Sequence, residues 1–162
     1  MRRREFLTGA AGLMGAAALP FAARANVPTP YTFDMKPPMG AGDKAAFIDW
    51  GVKQRGEDPK FLAERFDRYL AMVRNEDLVD DRNKRAFLCT PREKFVLKQN
   101  QGRAYDHAFL DIGWGVTISG PHIVGRMTSA INPQQGEKVL EVGTGSGYQS
   151  AYLAHLTDQV FT

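Results

Sequence analysis

The sequence has one cysteine, no excess charge beyond its N-terminus and no long hydrophobic run. A single cysteine, Cys89, excludes an internal disulfide. Its apolar neighbours, residues 86–88, favour a small buried side chain, with a reactive nucleophile as the alternative. No apolar run reaches the ~20 residues of a transmembrane helix, so the sequence predicts no membrane span.

The formal net charge of +3 belongs to the N-terminus. Residues 1–25 carry four arginines and one acid, and the other 137 residues carry 17 basic and 17 acidic groups. A balanced chain of this kind predicts no nucleic-acid partner. The three histidines, His107, His122 and His155, share no ligand spacing. We therefore expect no metal site, and histidines in loops or on helix surfaces.

The first 25 residues have the anatomy of an export signal. Three arginines precede an apolar run over 6–19, and Ala23-Arg24-Ala25 offers small residues for cleavage. Arg3-Arg4-Glu5-Phe6-Leu7 resembles the twin-arginine consensus. This predicts cleavage after Ala25, the twin-arginine export machinery as a partner and a periplasmic location. A cytoplasmic protein with a disordered or membrane-skimming N-terminus is the alternative.

Proline and helix signals divide the next part of the chain. Residues 26–42 contain four prolines and predict a linker, and 43–79 predict a helical extension. Asp58-Pro59 is typical of a helix start. The predicted inward face is Leu62, Phe66, Tyr69, Leu70 and Val73, and the predicted solvent face is Glu64, Arg65, Asp67 and Arg68. A second helix is predicted from Asp80 to about Leu88.

Shorter elements are predicted after residue 90. They are an extended piece at 95–97, a loop over 102–115, and a helix capped by Ser119 and stopped by Asn132-Pro133. The inward face of that helix is predicted to be Ile123, Val124, Met127 and Ile131.

A glycine turn gives the strongest chemical signal. A buried strand is predicted over 138–142, followed by Gly143-x-Gly145-x-Gly147, a helix from about Tyr148 and a second strand at 160–162. The dinucleotide fingerprint would need glycine at Tyr148. Glu141 could pair with a ligand ammonium, which suits S-adenosylmethionine better than a pyrophosphate. A purely structural turn is the alternative.

In order, these segments resemble the protein-L-isoaspartate O-methyltransferase family. The resemblance covers about 80 consecutive residues, carried by 85–87, 91–96, 104–106, 112–113, 117–122, 139–148 and 160–162. It implies an α/β fold, namely the N-terminal half of a Rossmann-like S-adenosylmethionine-dependent methyltransferase. The methyltransferase domain would occupy 80–162, ending after the first strand and glycine loop.

The resemblance also implies roles for single residues. Ser119 matches the active-site serine, in a loop with Thr117 and Ile118 that covers the cofactor and meets the substrate carboxylate. Glu141 and Gly143 match the acid and glycine that hold the methionine end of the cofactor, and Gly145 belongs to the same binding loop. Two positions depart from bacterial members: Val116 replaces the usual Gln, and Gly120 replaces Gln or Ala.

The implied reaction is methylation of L-isoaspartyl or D-aspartyl carboxylates in damaged proteins by a monomeric repair enzyme. A methyltransferase with another acceptor and a non-catalytic truncated remnant are the alternatives. The cofactor's ribose-binding acid is expected just past Thr162, so we expect a longer native protein. Residues 26–162 alone are then expected to bind S-adenosylmethionine weakly or not at all.

Overall fold

Local signals at the chain's turns set the bounds of its helices and strands. A computed structural model describes residues 35–162, which lie within one unit, Tyr31–Thr162. The predicted leader and most of the predicted linker lie outside the described residues. The five helices of the described part are α1 Lys44–Arg55, α2 Pro59–Arg74, α3 Asp81–Cys89, α4 Pro121–Ile131 and α5 Tyr148–Leu153. Its four strands are β1 Leu110–Gly113, β2 Val116–Ile118, β3 Lys138–Leu140 and β4 Gln159–Phe161.

Capping residues account for the helix ends that the sequence predicts. The Asp58 side chain accepts a hydrogen bond from the Lys60 amide at 2.8 Å, and Asp80 accepts one from the Asn83 amide at 2.9 Å. Each bond satisfies an amide that the first turn of a helix leaves unpaired. Asn132 ends α4 in the left-handed conformation. The predicted starts of α2 and α3 and the predicted stop of α4 are confirmed.

Two predictions between residues 95 and 115 need correction. Of the piece predicted as extended over 95–97, Val96 has extended dihedral angles but Phe95 does not. Phe95 lies in a 3-10 turn, Arg92–Phe95, in which the Lys94 amide donates to the Pro91 carbonyl at 3.0 Å. A second 3-10 turn, Lys98–Arg103, follows it. The predicted loop over 102–115 contains β1, which pairs antiparallel with β2 and places Leu110 opposite Ile118.

The other two strands form the α/β part of the molecule. β3 and β4 are parallel, with Lys138 opposite Gln159 and Leu140 opposite Phe161, and α5 connects them. A parallel pair joined through a helix is the building unit of α/β folds, which agrees with the predicted class.

The strand predicted as buried over 138–142 is shorter and more exposed than expected. β3 ends at Leu140, which is 73% exposed, and Val142 beyond it is 90% exposed. A parallel strand is buried when neighbouring strands and helices cover both faces. Within residues 35–162, β3 has only β4 as a paired strand, so much of its surface stays open.

The inward face of α2 includes a charge. Leu62, Phe66 and Tyr69 are buried as predicted, but Arg65 is 0% exposed, so its predicted place on the solvent face is wrong. Side chains from outside the helix neutralise it. They are Tyr105, whose hydroxyl lies 2.7 Å from Arg65 Nε, and the carboxylates of Glu57 and Glu93, at 2.7 and 3.1 Å from Nη2.

We call Glu57, Arg65, Glu93 and Tyr105 the Arg65 network. Burial alone lowers the pKa of Arg65, but Tyr105 and the two carboxylates outweigh burial and raise it above its ordinary value. The network joins α2 to the segments before α2 and after α3.

In the described part of the chain, no helix is both long and apolar enough to cross a membrane.

Candidate functional site

One cavity of about 350 Å³ lies between the β1–β2 hairpin, α4 and the glycine turn after β3. All six residues that the sequence singled out line it: Thr117, Ile118, Ser119, Glu141, Gly143 and Gly145. The hairpin supplies the first three, and β3 with its turn supplies the others. The structure therefore brings together two motifs that lie more than 20 residues apart in the sequence.

Ser119 stands at the exit of β2 with its hydroxyl available. Gly120, not Ser119, caps α4, and it does so without a side-chain hydrogen bond, so the predicted capping role of Ser119 is wrong. Ile118 beside it is buried and anchors the segment. Ser119 is partly exposed, and among residues 35–162 its hydroxyl has no hydrogen-bond partner. A free hydroxyl at a cavity wall can donate to a carboxylate or another acceptor.

Gly120 makes room for a histidine beneath this segment. A Cβ at Gly120 would lie 2.5 Å from Cε1 of His122 and 3.3 Å from the Ala108 carbonyl. The ring centroids of His122 and His107 are 3.5 Å apart, and burial, followed by His107, lowers the pKa of His122. The departure from the bacterial pattern at Gly120 thus has a packing reason. His107 is exposed in a loop as predicted, whereas His122 and His155 are partly buried.

The glycines of the turn are required by backbone conformation. Gly143, Gly145 and Gly147 have φ of 89°, 54° and 85°, in the left-handed region that disfavours other residues. The turn closes through a hydrogen bond from the Gly147 amide to the Thr144 carbonyl at 2.8 Å. A Cβ at Gly143 would meet no atom within 4 Å, so that position faces open space.

Glu141 is fixed where the turn begins. Its amide donates to the Phe161 carbonyl at 2.8 Å, which extends the β3–β4 pairing by one residue. Its carboxylate accepts hydrogen bonds from the hydroxyl of Ser150 on α5 and, at 3.2 Å, from that of Thr162. A carboxylate held by two neutral hydroxyls keeps its negative charge free for a cation in the cavity.

An apolar wall completes the cavity. Met127 and Ile131 of α4 belong to the face predicted to point inward, yet both side chains are mostly exposed because they line the cavity. Val124, one turn earlier, is buried as predicted. The predicted face of α4 therefore serves both the core and the cavity.

Sequence reasoning missed the side chains behind the glycine turn. The buried ring of Tyr148 contacts the cavity, and the guanidinium carbon of Arg92 lies 4.8 Å from its centroid. Burial raises the pKa of Tyr148 to about 12, although the nearby Arg92 acts to lower it. Arg92 lies in the Pro-Arg-Glu segment on which the family resemblance partly rests. That resemblance was the one sequence signal for a role of Arg92 near the cavity.

Two remaining features bear on chemistry. Cys89 is buried, as predicted, and burial raises the pKa of its thiol to about 11. Across residues 35–162, no three His, Cys, Asp or Glu side chains cluster as metal ligands would.

Comparison with known proteins places this site in a family. The profile of protein-L-isoaspartate(D-aspartate) O-methyltransferases matches residues 66–162. Proteins named protein-L-isoaspartate O-methyltransferase from Vibrio parahaemolyticus and Jannaschia sp. are 46% identical over 96 residues and 44% identical over 108 residues. These alignments cover 59% and 67% of this chain but 46% and 49% of the relatives, so the chain spans about half the length of the curated relatives it matches. The chain belongs to the protein-L-isoaspartate(D-aspartate) O-methyltransferase family.

Proposed function

We propose that this protein transfers a methyl group from S-adenosyl-L-methionine to the free carboxylate of L-isoaspartyl or D-aspartyl residues in damaged proteins. One observation carries the proposal: Ser119 and Glu141 line the same cavity, although they come from separate motifs. A cavity with a hydroxyl donor on one wall and a carboxylate on another suits an anionic acceptor and a cationic donor.

The cavity fits the methionine end of S-adenosylmethionine. Glu141 offers a fixed carboxylate for the ammonium group, and the turn at Gly143 and Gly145 lets the backbone approach closely. Met127 and Ile131 offer an apolar surface for the aliphatic part. When bound, S-adenosylmethionine supplies an electrophilic methyl group on a positively charged sulfur.

The chain's own task is to hold the acceptor in line. A side-chain carboxylate has a reference pKa of ~3.9 and is ionised at neutral pH, so the reaction needs no general base. Ser119 donates a hydrogen bond to one carboxylate oxygen and leaves the other oxygen facing the site of the methyl donor. A bound S-adenosylmethionine would supply its methyl group to that oxygen and leave as a neutral thioether, so no residue of the chain would have to transfer a proton. The apolar wall of α4 excludes water from the reacting pair.

We also propose that the leader directs the protein, as a monomer, through the twin-arginine machinery to the periplasm. The arginine pair, apolar run and small residues within 1–25 support this. The intact mass of the protein isolated from its native cell envelope tests export, because a processed protein lacks residues 1–25. Retention of those residues in the cytoplasmic fraction would contradict it.

The activity is tested with the protein as its native gene encodes it. We expect methyl transfer from labelled S-adenosylmethionine to an isoaspartyl peptide and none to its normal aspartyl twin. Equal labelling of both peptides would point to a different acceptor, and no labelling of either would contradict the proposal.

The variant Ser119→Ala tests the role of the hydroxyl. A hydrogen bond to a charged group contributes ~1.5–3 kcal/mol, so we expect kcat/KM to fall roughly 10- to 100-fold. Thermal stability should not change, because this hydroxyl has no partner within the described chain. A variant as active as the parent protein would remove Ser119 from the mechanism.

A further inference from the structure

The tip of the β1–β2 hairpin presents an aromatic side chain to solvent. Trp114 is 100% exposed, and Val116, which follows the turn, is also exposed. Tryptophan is usually largely buried and is enriched where proteins bind partners. Trp114 therefore contributes nothing to the described core, and its apolar area is available to another molecule.

The backbone at this tip makes the choice of tryptophan costly. Gly113, Trp114 and Gly115 have φ of 94°, 58° and 73°, so three consecutive residues lie in the left-handed region. Glycine or asparagine occupies that region more readily than a bulky residue. Neither burial nor backbone geometry therefore explains why a tryptophan stands at position 114. A contact with another molecule would explain it.

The hairpin connects this tip directly to the cavity. β2 runs from Val116 to Ile118, and Ser119 follows it at the cavity wall. The three extended residues of β2 span about 10 Å, and the turn residues Trp114 and Gly115 lie beyond the end of β2 that is far from Ser119. If an extended peptide lies along β2 with its isoaspartyl carboxylate at Ser119, the residue four or five positions from the isoaspartate lies at the hairpin tip.

The outer side of β2 is open to such a peptide. The outer side of β1 is occupied, since Asn100 Nδ2 donates to the Asp111 carbonyl at 2.8 Å. By contrast, Val116 and Thr117 of β2 are exposed, and within residues 35–162 β2 pairs only with β1. Within the described residues, therefore, no strand is paired to the outer edge of β2 between Ser119 and Trp114.

We propose that Trp114 is a specificity-determining residue that packs against an apolar side chain of the polypeptide substrate, four or five residues from the carboxylate being methylated. This inference rests on the proposed function and narrows its substrates to isoaspartyl sites with an apolar residue at that distance. The occupant is apolar because Trp114 at the tip and Val116 next to it in the hairpin are both exposed apolar side chains.

Steady-state kinetics on the full native protein test the proposal. Two isoaspartyl peptides are compared, with phenylalanine or with serine four and five residues from the isoaspartate on both sides. We expect Trp114→Ala to raise KM about fivefold or more for the phenylalanine peptide and to leave kcat unchanged. KM for the serine peptide should not change, and Trp114→Phe should retain most of the preference.

Tryptophan fluorescence gives a readout that does not require turnover. The chain has two tryptophans, and Trp50 packs against Phe47 with ring centroids 5.8 Å apart. In Trp50→Phe, Trp114 is the sole indole, and the phenylalanine peptide without S-adenosylmethionine should shift its emission to the blue. If that variant is unstable, the difference between the parent protein and Trp114→Phe reports the same signal.

The outcomes separate the two proposals. Methylation with equal KM for both peptides in the parent protein and in Trp114→Ala overturns the role of Trp114 and leaves the proposed function standing. Absence of methylation overturns the proposed function, and the emission then decides the role of Trp114 alone. If the phenylalanine peptide leaves the emission of Trp114 unchanged, the proposed role of Trp114 is wrong.

Discussion

At the scale of single residues, burial controls the reactivity of Cys89. Its side chain is buried and the pKa of its thiol is raised to about 11, so the reactive thiolate is rare at neutral pH. We expect no reaction with a disulfide reagent at pH 8 in the folded protein and complete reaction in concentrated urea. Rapid labelling of the folded protein would show instead that Cys89 is accessible.

His155 predicts how stability depends on pH. Burial, followed by the charge of Arg55, lowers the pKa of His155 to about 4, against ~6.5 in an unfolded chain. The unfolded state therefore binds a proton first as the pH falls. Stability from this group is complete above pH 6.5 and is lost between pH 6.5 and about 4, by roughly 3 kcal/mol. Urea unfolding across this range should show a loss that is smaller in His155→Gln, and equal losses would contradict the assignment.

The sequence predicted interactions between residues close together in the chain better than interactions between distant ones. The capping role of Asp58 and the start of a helix at Asp80 followed from the sequence because a helix start depends on only a few neighbouring residues, although the cap predicted at Ser119 was wrong. The burial of Arg65 did not, because its partners come from other segments of the chain. Helical periodicity places a charged residue such as Arg65 on the solvent face of a helix unless buried partners for its charge are known.

At the scale of elements, Gly51 governs how α1 meets α2. A Cβ at Gly51 would lie 2.5 and 2.7 Å from the two methyl carbons of Leu62, which is buried. Gly51→Ala gains up to ~1 kcal/mol of helix propensity, but overpacking costs ~1–3 kcal/mol. We expect a net loss of about 1–2 kcal/mol in the free energy of unfolding, measured in urea.

Gly42→Ala is the matched control for this prediction. A Cβ at Gly42 meets nothing within 4 Å, and its φ lies outside the left-handed region. We expect its stability to stay within about 0.5 kcal/mol of the parent protein. A stabilised Gly51→Ala would mean that Leu62 can move aside at little cost.

Elements with strong local signals were predictable, and elements defined by pairing were not. The glycine turn and the strands on either side of α5 follow the predicted order because conformation and periodicity encode them. The β1–β2 hairpin was missed because its tip places Trp114 between two glycines, which reads as loop. The six candidate site residues were found from the motifs and the resemblance, and their shared cavity required the structure.

At the scale of the whole molecule, the Arg65 network joins segments far apart in sequence. Arg65→Met removes the cation that Glu57 and Glu93 share, which leaves the buried Glu93 carboxylate without a cation and Glu57 with Arg55 alone, at a cost of ~3–5 kcal/mol. Urea unfolding should show a loss of that size. Lys44→Ala is the control, because its exposed ion pair with Asp67 also involves α2 but contributes less than ~1 kcal/mol. Similar losses in both variants would show that the network stabilises little.

The position of this network also bears on how the chain can be divided. The family profile begins at residue 66, directly after Arg65. A recombinant fragment cut at that boundary would keep Glu93 and Tyr105 but lose the Arg65 guanidinium, which pairs with Glu93 and donates to Tyr105, and the Glu57 carboxylate. We therefore expect a fragment of residues 66–162 to be less stable than one that begins before α1. A shortened version of this protein should therefore begin before α1. Arg65 and Glu57, which lie ahead of residue 66, then stay together with Glu93, which lies behind it.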